Sequence, residues 1–183
     1  MIAYKGFKCD LTCLGYQFYE DRVNVTEKAN CAKNGFHCAE NPLDCLSYYR
    51  DWRNSVYYVV KAEGDLDEDA VDSKISCTRM TLVKKLSMEE LLLHALAYMV
   101  RHPGRNCHSC VQQENGKVWD GFAIVRGKNP RAIGKMGDIL ALAKEFPDSR
   151  KIQEVALFVI DGETYFPDIS YDVSGKSMER MAA

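Results

Sequence analysis

Cysteine and histidine side chains lie close together in one short segment of this 183-residue chain. Cys107 and Cys110 form a Cys-x-x-Cys pair, and His108 stands between them. Thiolates and imidazoles bind zinc, but a structural zinc site takes four ligands, commonly from two such pairs. The other close pair, Cys9 and Cys13, has a longer spacing. The pattern therefore favours free thiols over bound zinc and predicts no metal site.

The cysteine count also bears on the compartment. Eight cysteines would suit a disulfide framework in a small secreted protein. The chain is longer than such proteins, and its first ten residues contain no apolar core of a secretory leader. We therefore expect reduced thiols and a cytoplasmic protein.

Basic residues are concentrated between residues 101 and 135, where seven lysines and arginines stand against two acidic residues. The seven are Arg101, Arg105, Lys117, Arg126, Lys128, Arg131 and Lys135. A basic stretch can attract the phosphates of a nucleic acid or a nucleotide. We interpret this one as a solvated surface and do not expect nucleic-acid binding.

The composition excludes two classes of protein. Hydrophobic residues make up 46% of the chain and the net charge is −2, which is not the composition of a disordered protein. The longest mostly apolar stretch, residues 91–100, is interrupted by His94 and is too short to span a bilayer. We therefore expect a globular protein that does not bind a membrane.

Hydrophobic periodicity predicts the elements that must position any site. Alternating or β-branched runs predict strands over residues 2–7, 16–25, 55–62, 74–84 and 152–160, and several short strands between 117 and 137. Asp161-Gly162 predicts a hairpin turn into a strand over 163–166.

Three helices are expected. Ser87 and Glu90 form a capping box for a helix over 87–102. Asn41-Pro42 is a typical start for a helix that runs to residue 50. Good helix formers between Asp138 and Pro147 predict a short helix over 139–146.

These elements predict an α+β fold. We expect a mixed or antiparallel sheet with a few helices in an N-terminal part, 1–104. A strand-rich C-terminal part, 105–173, would carry one short helix and pack with the first part as one globule. Residues 174–183 are expected to form a frayed tail.

Two stretches of the chain are similar to a known family. The start, AYKGF…LTCLGYQF with CAKNGFHCAENPLDCLSYY, resembles the N-terminal domain of an uncharacterised family found in bacteriophage and prophage proteins. The end, AIGKMGDILALAKEF…VALFVIDGETYFPD, resembles C-terminal elements of the same family. Members of that family carry an alanine- and glycine-rich repeat between the two parts, and the repeat is almost absent here. The resemblance implies a phage or prophage origin and no defined activity.

A more distant similarity is to ADP-ribosyltransferases of the diphtheria-toxin and poly-ADP-ribose type. Those enzymes open a strand with Tyr-His-Gly, where this chain has Tyr4-Lys5-Gly6. They continue with Gly-Ile/Phe-Tyr, where this chain has Gly35-Phe36-His37, and place a second tyrosine eleven positions later, as Tyr48 is here. Their late-strand glutamate corresponds to Glu154.

This similarity implies the roles of the matching residues. Tyr4, Lys5 and Gly6 would meet the adenosine ribose of NAD, and Phe36, His37 and Tyr48 would hold its nicotinamide. Glu154 would be the catalytic residue, because a carboxylate there stabilises the positive charge that develops at the anomeric carbon. Lys5 replaces the family's histidine and His37 replaces its first tyrosine, so the resemblance leaves open whether the site works.

Three functions follow as hypotheses. The first is a phage- or prophage-encoded binding module, with a host or phage protein as partner and possible activity against a bacterial defence system. The second is an NAD-binding protein or enzyme of the ADP-ribosyltransferase type. The third is a virion or assembly component. NAD is the one cofactor that the sequence suggests, and whether the protein is an enzyme stays open.

Overall fold

The computed structural model describes residues 1–29, 33–68 and 73–178. The chain divides into two compact units, Met1–Leu91 and Leu92–Ala183. In the described residues, strands account for 49% and helices for 14%, so the fold is mostly β. The α+β prediction therefore overstated the helical part. None of the helices described is long and apolar enough to cross a membrane.

The first unit contains seven strands and its sheet is antiparallel throughout. The strands are β1 (Ile2–Lys8), β2 (Thr12–Cys13), β3 (Tyr16–Gln17), β4 (Asn24–Val25), β5 (Phe36–Ala39), β6 (Ser55–Glu68) and β7 (Lys74–Leu86). Strands β1, β6 and β7 confirm the sequence predictions, and β6 is longer than predicted. β2 and β3 form a separate small hairpin.

Four of these strands close into a ring. β1 pairs with β5 and β6, and β7 also pairs with β5 and β6. β1 is paired with β6 along its whole length, but its pairing with β5 is limited to Tyr4 opposite Ala39. The ring is therefore parted between β1 and β5. Its interior holds an apolar core that includes Ala3, Phe7, Phe36, Cys38, Val60, Cys77 and Met80.

The predicted strand over 16–25 is wrong as a single element. β3 ends at Gln17 and β4 begins at Asn24. The buried Asn24 side chain accepts a hydrogen bond from the Tyr19 amide (2.9 Å) and donates to the Tyr19 carbonyl (3.0 Å) and the Met80 carbonyl (3.2 Å). These bonds hold residues 19–24 as a loop, because they satisfy backbone groups that a continuous strand would pair with a neighbour.

Asn41 begins a helical segment as predicted, but the segment is shorter. The Asn41 side chain accepts from the Leu43 amide, and Pro42 takes the first position of a 3₁₀ turn, Pro42–Asp44. The helix α1 (Cys45–Tyr48) follows, and a second 3₁₀ turn, Trp52–Asn54, precedes β6. The chain thus returns to the sheet soon after Tyr48.

The helix predicted over 87–102 is confirmed as α2 (Met88–Arg101). The Glu90 amide donates to the Ser87 hydroxyl (3.1 Å), and the Ser87 amide donates to the Glu90 carboxylate (2.9 Å). This is the reciprocal capping that the sequence predicted. The boundary between the two units falls within this helix.

The second unit contains a mixed sheet of six strands. They are β8 (Val111–Lys117), β9 (Phe122–Ile133), β10 (Ile139–Glu145), β11 (Ile152–Val159), β12 (Ser170–Asp172) and β13 (Ser177–Met178). The order is β11-β10-β9-β12-β13, and β8 also pairs with β9. β9 pairs in parallel with β8 and β10, while the other pairs are antiparallel. β11 confirms the strand predicted over 152–160.

The helix predicted over 139–146 is wrong, because this segment is β10. β10 lies between β9 and β11, and residues 139–143 are all buried. A strand that is covered on both faces has a continuous apolar sequence, and a short buried helix can have the same sequence pattern. Here the pairing with β9 and β11 overrides the helix propensity of the residues. The several short strands predicted between 117 and 137 are instead mainly the single strand β9.

Two predictions about the C-terminal end also fail. Residues 163–166 form a loop, since the Asp161 carboxylate accepts hydrogen bonds from the amides of the next residues, 163 to 165, in place of a hairpin partner. The predicted frayed tail is ordered from 174 to 178, where β13 pairs with β12. Its remainder, 179–183, lies outside the described residues.

Candidate functional site

A cavity of about 660 Å³ opens in the first unit, beside the parted strands β1 and β5. Its walls come from β1, the β2–β3 hairpin, β5 and the end of α1, with Lys74 at the start of β7. The cavity exists because β1 and β5 pair at one position and then separate, leaving room that side chains from other elements surround. Drug-sized and cofactor-sized ligands occupy cavities of this volume.

All six predicted ligand-binding residues line this cavity. Tyr4, Lys5 and Gly6 come from β1, Phe36 and His37 from β5, and Tyr48 from α1. The two motifs are about thirty residues apart in sequence, and the β1–β5 pairing brings them side by side. Their role in binding stays a prediction.

Lys5 is a buried cation in the cavity wall, with 5% of its surface exposed. Its ammonium donates to the His37 carbonyl (2.7 Å) and lies 3.5 Å from the Cys13 sulfur. The rings of Phe7 and Phe18 lie 5.2 and 5.4 Å away. In the described part of the chain no carboxylate pairs with it. A buried charge that lacks a counter-ion costs free energy, which a bound anion would offset.

His37 contributes a buried ring nitrogen, Nε2, that has no hydrogen-bond partner among the described residues. Burial lowers the pKa of its imidazole, and the positive charges of Lys74 and Lys5 lower it further. The ring is therefore neutral at pH 7. Its Nε2 atom is buried and forms no hydrogen bond to any described residue. An unsatisfied buried polar atom is uncommon in a folded protein and costs about 1–3 kcal/mol.

Aromatic rings form the apolar part of the wall. Tyr16 packs edge-to-face on Phe36 at 4.7 Å, and Phe18 lies 4.8 Å from Phe36. Tyr48 stands at the rim, 65% exposed, and the Lys74 ammonium lies 5.1 Å from its ring. The cavity thus offers aromatic surfaces next to three lysine ammonium groups, those of Lys5, Lys8 and Lys74.

Tyr49 packs directly on the backbone of Gly6. A Cβ atom at Gly6 would lie 2.6 Å from Tyr49 Cδ2, so glycine is required for this close approach. Burial raises the pKa of Tyr49, as does its hydrogen bond to Cys13. The third motif residue of β1 therefore serves the packing of the cavity wall.

The β2–β3 hairpin forms another edge of the cavity. Its turn residues, Leu14 and Gly15, have φ values of +49° and +81°, which is the left-handed conformation of a tight hairpin turn. Leu14 is 92% exposed. Sequence reasoning missed this hairpin, together with Cys13, Tyr49 and Lys74 in the cavity wall. Gly15, between Thr12-Cys13 and Tyr16-Gln17, was the available signal for the turn.

Comparison with protein families identifies the segment that holds this cavity. A family model described as a domain of unknown function, DUF7666, matches residues 1–94. The chain belongs to this family. No curated protein and no solved structure matches the chain. The expected phage origin and the ADP-ribosyltransferase similarity stay predictions.

The DUF7666 segment includes every residue that lines the cavity, from Tyr4 to Lys74. The predicted catalytic residue, Glu154, lies outside the segment, on β11 of the second unit. Its side chain is exposed and stands opposite Lys144 of β10. Its catalytic role stays a prediction.

The basic stretch that follows the DUF7666 segment is not one solvated surface. Arg126 is 1% exposed, and its Nε donates to the Glu145 carboxylate at 2.7 Å. Lys128 donates to the backbone carbonyls of residues 146, 147 and 149. Two of the seven cations therefore hold the second unit together. The acceptors of these two cations are backbone oxygens and a carboxylate that lie far from them in the sequence, so the sequence alone does not identify them.

None of the seven cysteines among the described residues forms a disulfide. Cys31 lies outside those residues. No three His, Cys, Asp or Glu side chains of the described chain are grouped as a metal site requires. Cys107 and Cys110 belong to no such group.

Proposed function

We propose that this protein is a binding module whose DUF7666 unit holds a small anionic ligand with an aromatic ring, of which a nucleotide such as NAD is the first candidate. The observation that carries the proposal is Lys5, a buried ammonium in a cavity wall with no carboxylate partner among the described residues. An ammonium has three donors, and here one is used well, toward His37, and one weakly, toward Cys13.

The charge of the cavity selects an anion. Among the described residues three lysines line it, and the one acidic residue there, Asp44, accepts hydrogen bonds from Ser73 and Asn41. A phosphate or carboxylate beside Lys5 would form a charge-assisted hydrogen bond, which is about twice as strong as a neutral one. The neutral His37 ring adds a group that can donate or accept, and it stays neutral because burial, and then the charges of Lys74 and Lys5, lower its pKa.

The aromatic wall selects the rest of the ligand. Tyr16, Phe36 and Tyr48 line the cavity with ring faces and edges on which a planar heterocycle can stack. Stacking of a base on an aromatic side chain contributes about 1–3 kcal/mol. A ligand that has both a heterocycle and a phosphate therefore matches the two halves of this wall better than either part alone.

Thermal unfolding of the first unit tests the proposal. The chain has two tryptophans, Trp52 in the first unit and Trp119 in the second. Trp119 is 83% exposed, so Trp119→Phe leaves Trp52 as a fluorescent reporter of the first unit alone. We expect NAD at about 100 times its Kd to add about 2.7 kcal/mol of stability. That raises the midpoint by about 5–10 °C.

The controls separate the anion from the ring. Inorganic phosphate and nicotinamide, tested singly, should each give a smaller shift than NAD, AMP or ADP-ribose. Lys5→Met should remove the shift, and the same substitution at the exposed Lys85 should retain it. The proposal fails if none of these compounds raises the midpoint at millimolar concentration, or if Lys5→Met binds them as well as the unchanged chain does.

A phage- or prophage-encoded protein that acts against a bacterial defence system is the setting we propose for this module, in the cytoplasm. A protein partner would then be found in bacterial host lysate. Affinity capture with the unchanged chain and with Lys5→Met, each with and without NAD, tests this setting. A partner that is retained only when the cavity is intact supports it, and recovery of nothing above background counts against it.

A further inference from the structure

A second group of reactive side chains lies in the other unit, in the loop between α2 and β8. Cys107 and Cys110 are both half-buried in this loop, and neither forms a disulfide. A hydrogen bond from the Val111 amide to the His108 carbonyl (2.9 Å) forms the turn that holds them. The Cys-x-x-Cys spacing is the one used by dithiol oxidoreductases, because it lets one thiol attack the other's mixed disulfide.

Cys110 is paired with a base. The His108 Nδ1 atom lies 3.0 Å from the Cys110 sulfur. The Cys110 amide donates to the same Nδ1 at 3.2 Å, so this nitrogen carries a lone pair. A thiol and an imidazole lone pair at this distance form an activated nucleophile, because the ring can take the proton as the sulfur attacks. Since one residue separates them, the turn fixes this geometry.

Cys107 is next to a fixed positive charge. The buried Arg126 guanidinium donates from Nη1 to the Cys107 sulfur at 3.5 Å. The same guanidinium is held by the Glu145 carboxylate and by the carbonyls of Pro103 and Arg150. The contacts to Glu145 and Arg150 come from outside the loop and place the cation beside it. Each of the two thiols therefore has a nitrogen partner of its own.

We infer that Cys107 and Cys110 are a redox-active dithiol that reduces disulfide compounds, with Cys110 as the nucleophile, His108 as its base and Cys107 as the resolving thiol. This inference is independent of the cavity and of the function proposed for it.

The reaction balances in two steps. Cys110 gives its proton to His108 and attacks a disulfide RSSR, forming the Cys110–SR bond and releasing RS⁻, which takes the proton from His108. Cys107 then loses its proton and attacks the Cys110 sulfur, forming the Cys107–Cys110 bond and releasing the second RS⁻, which takes that proton. The two protein thiols lose two electrons, RSSR gains them, and two RSH result.

Redox titration of the full-length chain tests the inference. The protein is equilibrated in mixtures of reduced and oxidised glutathione at ratios from about 100:1 to about 1:100, then acid-quenched and alkylated. Trypsin cuts after Arg105 and Lys117 and releases one peptide that contains Cys107 and Cys110 and no other cysteine. We expect this peptide to lose two hydrogens reversibly as the ratio changes. Failure to form the internal disulfide at any ratio overturns the inference.

Alkylation kinetics test the roles of the residues. In Cys107→Ser, Cys110 should react with iodoacetamide about tenfold faster at pH 7 than the exposed Cys9 of the same molecule. His108→Asn should lower that rate to the rate of Cys9 and shift its pH profile upward. Hydrogen exchange of the backbone amides of β9 and β10 checks that the second unit is folded in each variant. Equal rates for Cys110 and Cys9, or a rate that His108→Asn does not change, contradict the assignment of His108 as the base.

Discussion

Replacing Lys5 by methionine should separate binding from stability. Methionine keeps the length and the apolar stem of the side chain but removes the charge. The substitution removes one charge-assisted hydrogen bond, from Nζ to the His37 carbonyl at 2.7 Å, which contributes about 1.5–3 kcal/mol. It also removes the cost of burying an ammonium that is 5% exposed, which is several kcal/mol.

The two contributions predict the sign of the change. Because the desolvation cost exceeds one hydrogen bond, we expect Lys5→Met to leave the unliganded first unit as stable as before or up to about 2 kcal/mol more stable. The Trp52 midpoint would then stay constant or rise by up to about 8 °C. At the same time, stabilisation by NAD should disappear. Such a gain in stability with loss of binding is typical of a residue retained for a ligand.

Urea unfolding followed by Trp52 fluorescence in the Trp119→Phe background is the assay. Lys85→Met is the matched control, because it makes the same chemical change at an exposed position of the same unit. A loss of 2 kcal/mol or more in unliganded Lys5→Met, with Lys85→Met unchanged, would refute the reasoning. In that case the hydrogen bond from Lys5 to the His37 carbonyl stabilises the fold, by joining β1 and β5 where their backbones are not paired.

Three other substitutions test the surroundings of the two sites. Gly6→Ala should destabilise the first unit by about 1–3 kcal/mol in urea unfolding, because its Cβ would meet the Tyr49 ring at 2.6 Å. His37→Gln should flatten the fall in stability below pH 6.5, where the unfolded chain takes up a proton that the folded imidazole, with its lowered pKa, does not. Arg126→Met should cost the second unit about 3–5 kcal/mol, since Glu145 is left as an unpaired carboxylate in the interior.

Each of these has a control. Gly104→Ala adds a Cβ where no other atom lies within 4 Å, so it should be neutral. The pH comparison uses the difference between unchanged chain and variant, which removes the contributions of the other three histidines. For Arg126, adding Glu145→Gln should restore part of the loss, and hydrogen exchange of the backbone amides of β9 and β10 reports the unfolding. If Gly6→Ala and Gly104→Ala lower the free energy of unfolding equally, the close contact of Gly6 with Tyr49 is not the reason. If the pH dependence of stability is the same in His37→Gln, the lowered pKa of His37 is contradicted. If Arg126→Met does not change the free energy of unfolding, the ion pair with Glu145 does not stabilise the second unit.

The predictions of elements succeeded where the local pattern and the packing agree. α2 begins at a capping box that lies within four residues, and the long strands β6 and β7 are rich in β-branched or alternating residues. They failed where distant residues decide. The 16–25 segment is divided at the buried Asn24, whose side-chain amide donates a hydrogen bond to the carbonyl of Met80, 56 residues later in the chain. The 139–146 segment is a strand because two neighbouring strands pair with it.

The sequence by itself determined the residue types of the candidate site and part of its position. The two motifs around Lys5 and His37 are local, and the residue pattern predicted a strand for the first but not for the second, which lies on β5. Only the tertiary structure decided that β1 and β5 pair at one position and then separate, that Lys5 is buried with no counter-ion in the described chain, and that His108 reaches Cys110. Burial and pairing depend on contacts between residues far apart in the chain, and a local pattern contains no information about the atom that a charged group will meet.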